Sequence, residues 1–337
     1  MLTACAALAC GSAPSSARAQ GAPSNAADAG GSFVGAPSPR AGEEPAERPW
    51  NASLRAFLEY DSNVGLTEEQ APAPYEYEPA FRAGLTGAGS YRWIAAERLT
   101  LGAGGYFAQT LTTGDAFADE YDLSSLAPHA WAALSLGRAE SPARVQLAYQ
   151  FRRDWLEGGD FERSHNARLS ASKRFGAAFE GEVHYTYALE DFDARGFHAL
   201  DARRDADHHR IGISGSWLRA ESLQSLTLGY EYLRNVAELS DFDFEGHAIS
   251  ARFRTAIPAP WLIGLELFAS YTDADYDHYP TTPRREARTQ LYRSRLFLPL
   301  SRHWLLDATY SHLSIGADQA RFRSKRDAVS AGLSYQF

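Results

Sequence analysis

Three sets of side chains in this 337-residue sequence have types and spacings capable of chemistry. The first is Asp207-His208-His209, a carboxylate beside two imidazoles, the pairing a general base needs when a neighbour positions the ring. Neither a Gly-x-Ser-x-Gly elbow nor a His-Glu-x-x-His zinc helix accompanies it. Ser62 and Ser164 lie near loop ends, yet nothing in their spacing ties either to the histidines. The pair is read as surface histidines in an acidic loop, with no catalytic residue assigned and no enzyme expected.

The second set is the acid runs Asp191/Asp193, Asp201/Asp205/Asp207, Asp241/Asp243/Glu245 and Asp273/Asp275/Asp277. Carboxylates two residues apart begin a calcium loop, because a hard cation needs several converging oxygens. The last run has His278 where that loop needs glycine, and no glutamate closes twelve residues. These runs are read as solvated external loops bridged to lipopolysaccharide by divalent ions, with no resident metal site and no cofactor.

The third set alternates with apolar residues. Arg55, Arg82, Arg152, Arg168, Arg174, Arg252, Arg254, Arg293 and Arg295 fall on the polar side of their segments, as do Glu59, Glu180, Glu182, Glu231, Glu266 and Asp307. Side chains of one strand alternate between two faces, so these residues share one face and the apolar residues the other. The final segment has Val329, Ala331, Leu333, Tyr335 and Phe337 on one side and Ser330, Gly332, Ser334 and Gln336 on the other. Val145, Leu147, Tyr149 and Phe151 against Gln146, Gln150 and Arg152 repeat the pattern, as do Val183 to Leu189 and Leu226 to Tyr232.

From Asn51 onward such segments run about 10–14 residues, the length of a tilted membrane strand. Tight turns are expected near Ile94–Glu97, Gly137–Pro142, Gly176–Ala178, Arg219–Ser222, Pro258–Pro260 and Ser301–His303. Longer polar connections fall between them, at Thr67–Glu78, Thr113–Glu120, Glu157–Arg163, Glu190–Asp207, Ala237–Asp243, Asp273–Glu286 and Gly316–Ser324. Short and long connections alternating along a chain of about fourteen strands, an even number, specify an all-β transmembrane antiparallel up-and-down β-barrel. The short turns would be periplasmic and the longer loops extracellular. Trp93, Trp217, Trp261 and Trp304 beside the short turns, and Tyr60, Trp155, Tyr187, Tyr232 and Tyr271 towards the long loops, would form the two interfacial girdles.

Composition agrees. Aromatics reach 12%, with 17 Tyr and 18 Phe, and there is one Met, a mix that favours strands. No apolar stretch reaches the ~18–20 residues of a spanning helix. A net charge of −9 argues against a nucleic-acid partner, which demands a basic face. The only cysteines are Cys5 and Cys10, so thiol chemistry is excluded downstream. Residues 1–20 read as a signal peptide ending at Ala17-Arg18-Ala19, with a true start upstream because no positive n-region precedes the apolar run. Leu2-Thr3-Ala4-Cys5 offers a lipobox in which Cys5 would be lipidated; either reading means export to the outer membrane of a Gram-negative cell. Residues 21–49, rich in Ala, Gly, Pro and Ser, read as a disordered periplasmic linker, leaving 50–337 as the barrel.

Two segments carry a resemblance. Tyr60-Asp61-Ser62-Asn63-Val64 ends the first strand, and the chain closes on Ala331-Gly332-Leu333-Ser334-Tyr335-Gln336-Phe337. The ending resembles the signal read by the barrel-assembly machinery, which implies that Tyr335 and Phe337 are its recognition residues. Together the segments resemble the barrels that follow tetratricopeptide repeats in outer-membrane proteins, nearest the C-terminal barrel of the surface lipoprotein assembly modifiers. This chain lacks the helical repeats of that family. The resemblance implies a fourteen-stranded barrel and an exported or surface lipoprotein client as partner.

Three functions follow as expectations: a porin-like channel or export conduit for polar solutes through an Arg/Glu-lined lumen, a lipoprotein assembly barrel working with a partner, and a barrel hydrolase. An arginine excess in the lumen would favour anions. A salt-bridge network holding the lumen closed, or a polar wall without selectivity, are the plainer alternatives.

Overall fold

The computed structural model describes residues 49–63, 79–94, 96, 98–113, 122–138, 141–156, 158–192, 205–219, 224–237, 243–257, 263–276, 285–317 and 323–337. The leader and nearly all of the linker expected from the sequence lie outside these residues, as do Trp261, Asp193, Asp201, Asp241 and Asp277. The described chain forms fourteen strands: β1 (Trp50–Asp61), β2 (Ala80–Ile94), β3 (Leu99–Thr113), β4 (Leu123–Arg138), β5 (Ser141–Leu156), β6 (Gly159–Phe175) and β7 (Phe179–Phe192), then β8 (Ala206–Arg219), β9 (Gln224–Ala237), β10 (Phe244–Ile257), β11 (Ile263–Tyr276), β12 (Arg285–Pro299), β13 (Trp304–Ala317) and β14 (Ser324–Gln336). Each pairs antiparallel with its neighbours in sequence, and β1 pairs with β14 to close the barrel. This is the architecture expected from the alternation.

The side chains are distributed inside out. Leu58, Phe81, Ile94 and Leu147 are more than half exposed, whereas Asp61, Arg82, Asp154, His208 and Asp307 are almost fully buried. A water-soluble sheet buries its apolar face and leaves charges outside; this one exposes large apolar side chains around its outside and encloses buried charges, so its outer surface is a lipid-facing belt. Closure leaves no strand edge to be satisfied by solvent, the condition for a sheet to cross a bilayer. Trp50, Trp93, Trp217 and Trp304 stand on the outer surface near the short-turn end.

Several strands run further than the sequence pattern predicts. β5 and β6 meet at residues 157–158 where a loop over Glu157–Arg163 was expected. Gly158 adopts φ 77°, which a residue without Cβ enters at no cost, and the register shifts by a bulge at Asp154/Trp155. Arg153 then grips Asp160 across the turn with Nη2 2.6 Å from its carboxylate. Likewise β7 and β8 extend through Asp191, Asp207, His208 and His209, and β11 through Asp273 and Asp275. Polar residues mark a loop only where the strand must end at the membrane surface; here alternation continues beyond the lipid belt.

The aspartates at the long-connection end close hairpins. Asp122 Oδ1 accepts from the Thr112 amide at 2.6 Å, Asp205 Oδ1 from the Phe192 amide at 2.8 Å, and Asp243 Oδ1 from the Ala237 amide. Each satisfies the amide at or near the end of the preceding strand. Asp205 and Asp243 belong to the acid runs; they are strand clasps as well as loop charges.

Candidate lumen site

Strand parity sends the fifteen charged residues singled out from the sequence to the inner face. The structure gathers most of them into a few groups. The largest spans β10 to β13 and reaches β1. In one row Arg252, Phe268 and Arg293 stand side by side on β10, β11 and β12; in the next row Arg254, Glu266 and Arg295 do the same. Guanidinium carbons of Arg252 and Arg293 lie 5.3 and 5.4 Å from the Phe268 ring centre, so one ring face or edge serves two cations. Arg295 stands 4.6 Å from the Phe297 ring. Arg254 is ion-paired to Glu266. Asp307, fully buried, takes a two-pronged contact from Arg55 at 2.9 and 2.8 Å, with Arg295 3.4 Å away. Arg55 reaches Asp307 by crossing β14 above Gly332, where a Cβ would come within 2.6 Å of the guanidinium.

This patch holds five arginines (55, 252, 254, 293 and 295) against two carboxylates (Glu266 and Asp307), a formal excess of 5 − 2 = +3. Arg254 has a side-chain exposure of 48%, against 24% for Arg295 and 11% for Arg55. Bidentate geometry and ring stacking fix arginine in place, which lysine cannot match.

A second group lies at the long-connection end. Arg82 from β2 meets Asp61 and Glu59 from β1, and Arg326 from β14 reaches Asp61 at 2.5 Å. Asn63 donates to the Lys325 carbonyl at 2.9 Å. A third group lines β5 to β9: Arg168–Glu182 at 2.6 Å, His184–Glu231 at 2.9 Å, Arg152–Asp154 at 2.5 Å and His208–Glu190 at 2.8 Å. Arg174 donates to the Ala177 carbonyl in the short turn, and its register partner is Glu180.

His208 and His209 are corrected by the structure. They are consecutive strand residues, so they point to opposite sides: His208 is buried in the lumen against Glu190, while His209 is outside, bonded to Tyr185. No acidic loop holds them as a pair. Ser164 is buried on the inner face with Glu190 as its register partner, and Ser62 Oγ accepts from the Asp327 amide.

Inner residues missing from the sequence reading include Asp61, Asp154, Glu162, Glu190, Arg144, Arg210 and Arg326. Glu162 and Glu190 fall in the long connections expected from the sequence; the others follow from continuing the alternation along their strands. Inner aromatics were also missed: Trp131 is buried inside and held over Gly102, with Arg144 5.6 Å from its ring. The inner wall is not uniformly polar. Phe244, Tyr276, Leu233 and Ala248 form an apolar cluster near the long-connection end, with Leu291, Leu313 and Ile315 beside it. Inner side chains are mostly buried at that end and partly accessible over the short-turn half, as β7 and β8 illustrate. The lumen thus has a packed collar and a wetter vestibule containing Arg254.

At the C-terminus the Tyr335 ring lies edge-on to Trp304 at 4.9 Å and to Phe337 at 4.8 Å, and the Phe337 amide donates to the Ala52 carbonyl at 3.1 Å. The last residue is tied into the β1 side of the seam.

Inverted burial, closure and a charged interior define a transmembrane β-barrel of the outer-membrane type. No protein-family profile matches the sequence, and no curated protein does. Among solved structures the chain is similar in fold to OccAB3 of Acinetobacter baumannii (9% identity, 86% of this chain and 99% of that one, TM-score 0.46). It is also similar to a loop-deletion mutant of OmpT from Vibrio cholerae (12%, 86% and 98%, 0.47) and an outer membrane channel from Pseudomonas putida F1 (12%, 87% and 97%, 0.44).

Proposed function

We propose that the chain is an outer-membrane channel of porin type, or an export conduit, that passes polar solutes and prefers anions. The observation that carries this reading is the arginine patch of β10–β13 and β1, opening on the accessible half of the lumen. Cations fixed on aromatic faces and on two carboxylates leave a net positive wall, which lowers the electrostatic barrier for an anion and raises it for a cation. Residues 1–20 would direct export, and Tyr335 and Phe337 would present the ending to the assembly machinery. Swelling of liposomes holding the purified full chain tests the channel: a small anionic sugar should enter faster than its neutral parent. Equal impermeability to both would refute it.

An assembly barrel that releases a lipoprotein client sideways would have to open the β1/β14 seam. That seam is paired in register from Ser53↔Gln336 to Asp61↔Ala328 and clasped from inside at both ends, by Asp61–Arg326 and by Arg55–Asp307. Passage along the lumen is the easier route. The buried His208–Glu190 pair, with Ser164 the register partner of Glu190, is what favours a hydrolase; loss of hydrolysis on His208→Ala, with conductance kept, would support it.

A further inference from the structure

Three consecutive hairpins carry the same outward-facing device. In β5/β6, Tyr149 Oη lies 2.6 Å from His165 Nδ1; in β7/β8, Tyr185 Oη lies 2.7 Å from His209 Nδ1; in β9/β10, Tyr230 Oη lies 2.7 Å from His247 Nδ1. In each, a second ring two residues further up the rising strand covers the imidazole: Phe151 at 5.1 Å, Tyr187 at 5.3 Å and Tyr232 at 5.5 Å. That ring is the register partner of the histidine in all three hairpins. A variant on β13/β14 sets Tyr310 and His312 on Asp327, each at 2.8 Å.

The devices share a level. Eight residues separate His209 from Trp217 on β8, and eight separate Trp304 from His312 on β13. At about 3.4 Å per residue and a tilt of about 40°, that is roughly 21 Å, close to the ~25 Å apolar band of such barrels. Trp217 and Trp304 mark the lower rim, so the histidines mark the upper one, where acyl chains give way to headgroups.

Where the tyrosine hydroxyl donates to Nδ1, the ring proton sits on Nε2, leaving that nitrogen as the donor for an outside acceptor. Just above the belt stand the outward guanidiniums of Arg163, Arg234 and Arg288, each about half exposed, with Asp160, Glu245, Asp273 and Glu286 within 4 Å of them. Donors in a row along the rim of a lipid belt, with cations above them, suit a phosphorylated headgroup. Acyl chains offer no acceptor for them. We propose that the Tyr–His units of β5–β10 are docking points for the phosphates of outer-leaflet lipopolysaccharide.

The test uses the full chain in detergent, incubated with lipopolysaccharide, with lipopolysaccharide stripped of its phosphates, or with diacylglycerol, which carries no phosphate, then washed and weighed by native mass spectrometry. The wild type should retain intact lipopolysaccharide and lose the other two. His165→Phe/His209→Phe/His247→Phe keeps the ring packing and removes the donors; it should retain at least about threefold less. Heat-modifiable migration reports its folding, and His247→Phe alone should give a smaller loss in the same direction. Equal retention by the triple variant, or equal retention of phosphate-free lipopolysaccharide by the wild type, would overturn the proposal. Neither result depends on whether the lumen conducts.

Discussion

Arg254 and Gly102 represent two kinds of inner position, one facing water and one making room. Arg254 is half accessible and paired with Glu266. Arg254→Gln leaves Glu266 with Arg295 as a register partner and removes one unit of positive charge from the vestibule wall. The ratio of anion to cation permeability should fall in reversal-potential recordings while the barrel stays folded. Gly102 lies under Trp131, and a Cβ there would stand 2.3 Å from the indole. Gly102→Ala should cost about 1–3 kcal/mol, as overpacking does, read as a lower temperature at which the folded band is lost on a gel. The inner identity of the fifteen charged residues was legible because period-2 alternation is strict within a strand. Trp131 was not: a buried tryptophan over a glycine and an outer girdle tryptophan look alike in one dimension, and only the pairing of β3 with β4 separates them. The gathering of Arg252 and Arg293 about one phenylalanine likewise depends on register, which a single sequence does not encode locally.

At the scale of elements, the strand count and their order came from alternation, whereas their ends did not. Segments with Asp, His and Glu were assigned to loops, yet β7, β8 and β11 carry those residues beyond the lipid belt because backbone pairing, and not side-chain polarity, ends a barrel strand. The two-residue connection of β5 to β6 is the sharpest case. Gly158 holds φ 77°, so Gly158→Val should cost about 1–2 kcal/mol, left-handed backbone being disfavoured for a side chain branched at Cβ. Protease cleavage at residues 157–160 should then speed up relative to the other connections. The seam makes a separate prediction. Arg82 is buried against Asp61 and Glu59, and Arg82→Leu removes a buried cation from both carboxylates, leaving Asp61 with Arg326. Breaking such a pair costs about 3–5 kcal/mol, so thermal stability should fall far more than for Arg234→Gln on the exposed outer surface.

As a whole, the molecule divides its charge by place. The overall −9 conceals a basic wall in the short-turn half of the lumen, ion clusters at the collar and an acid-bearing outer rim. The large exposed apolar residues face lipid and a smaller apolar set packs the collar, which is why the chain looks ordinary in composition while its pattern is that of a membrane barrel. The ending closes the barrel as well as the sequence, since Phe337 bonds Ala52 and packs on Tyr335; deleting Phe337 should slow insertion in a barrel-assembly assay. The central claim is that the lumen conducts and selects by its arginine wall. Single-channel recording of the full chain in a planar bilayer under a salt gradient measures both together. Discrete conductance steps with a reversal potential on the anion side, moved towards zero by Arg254→Gln, are the predicted result. A barrel that inserts without conducting, or one that reverses on the cation side, would contradict the account.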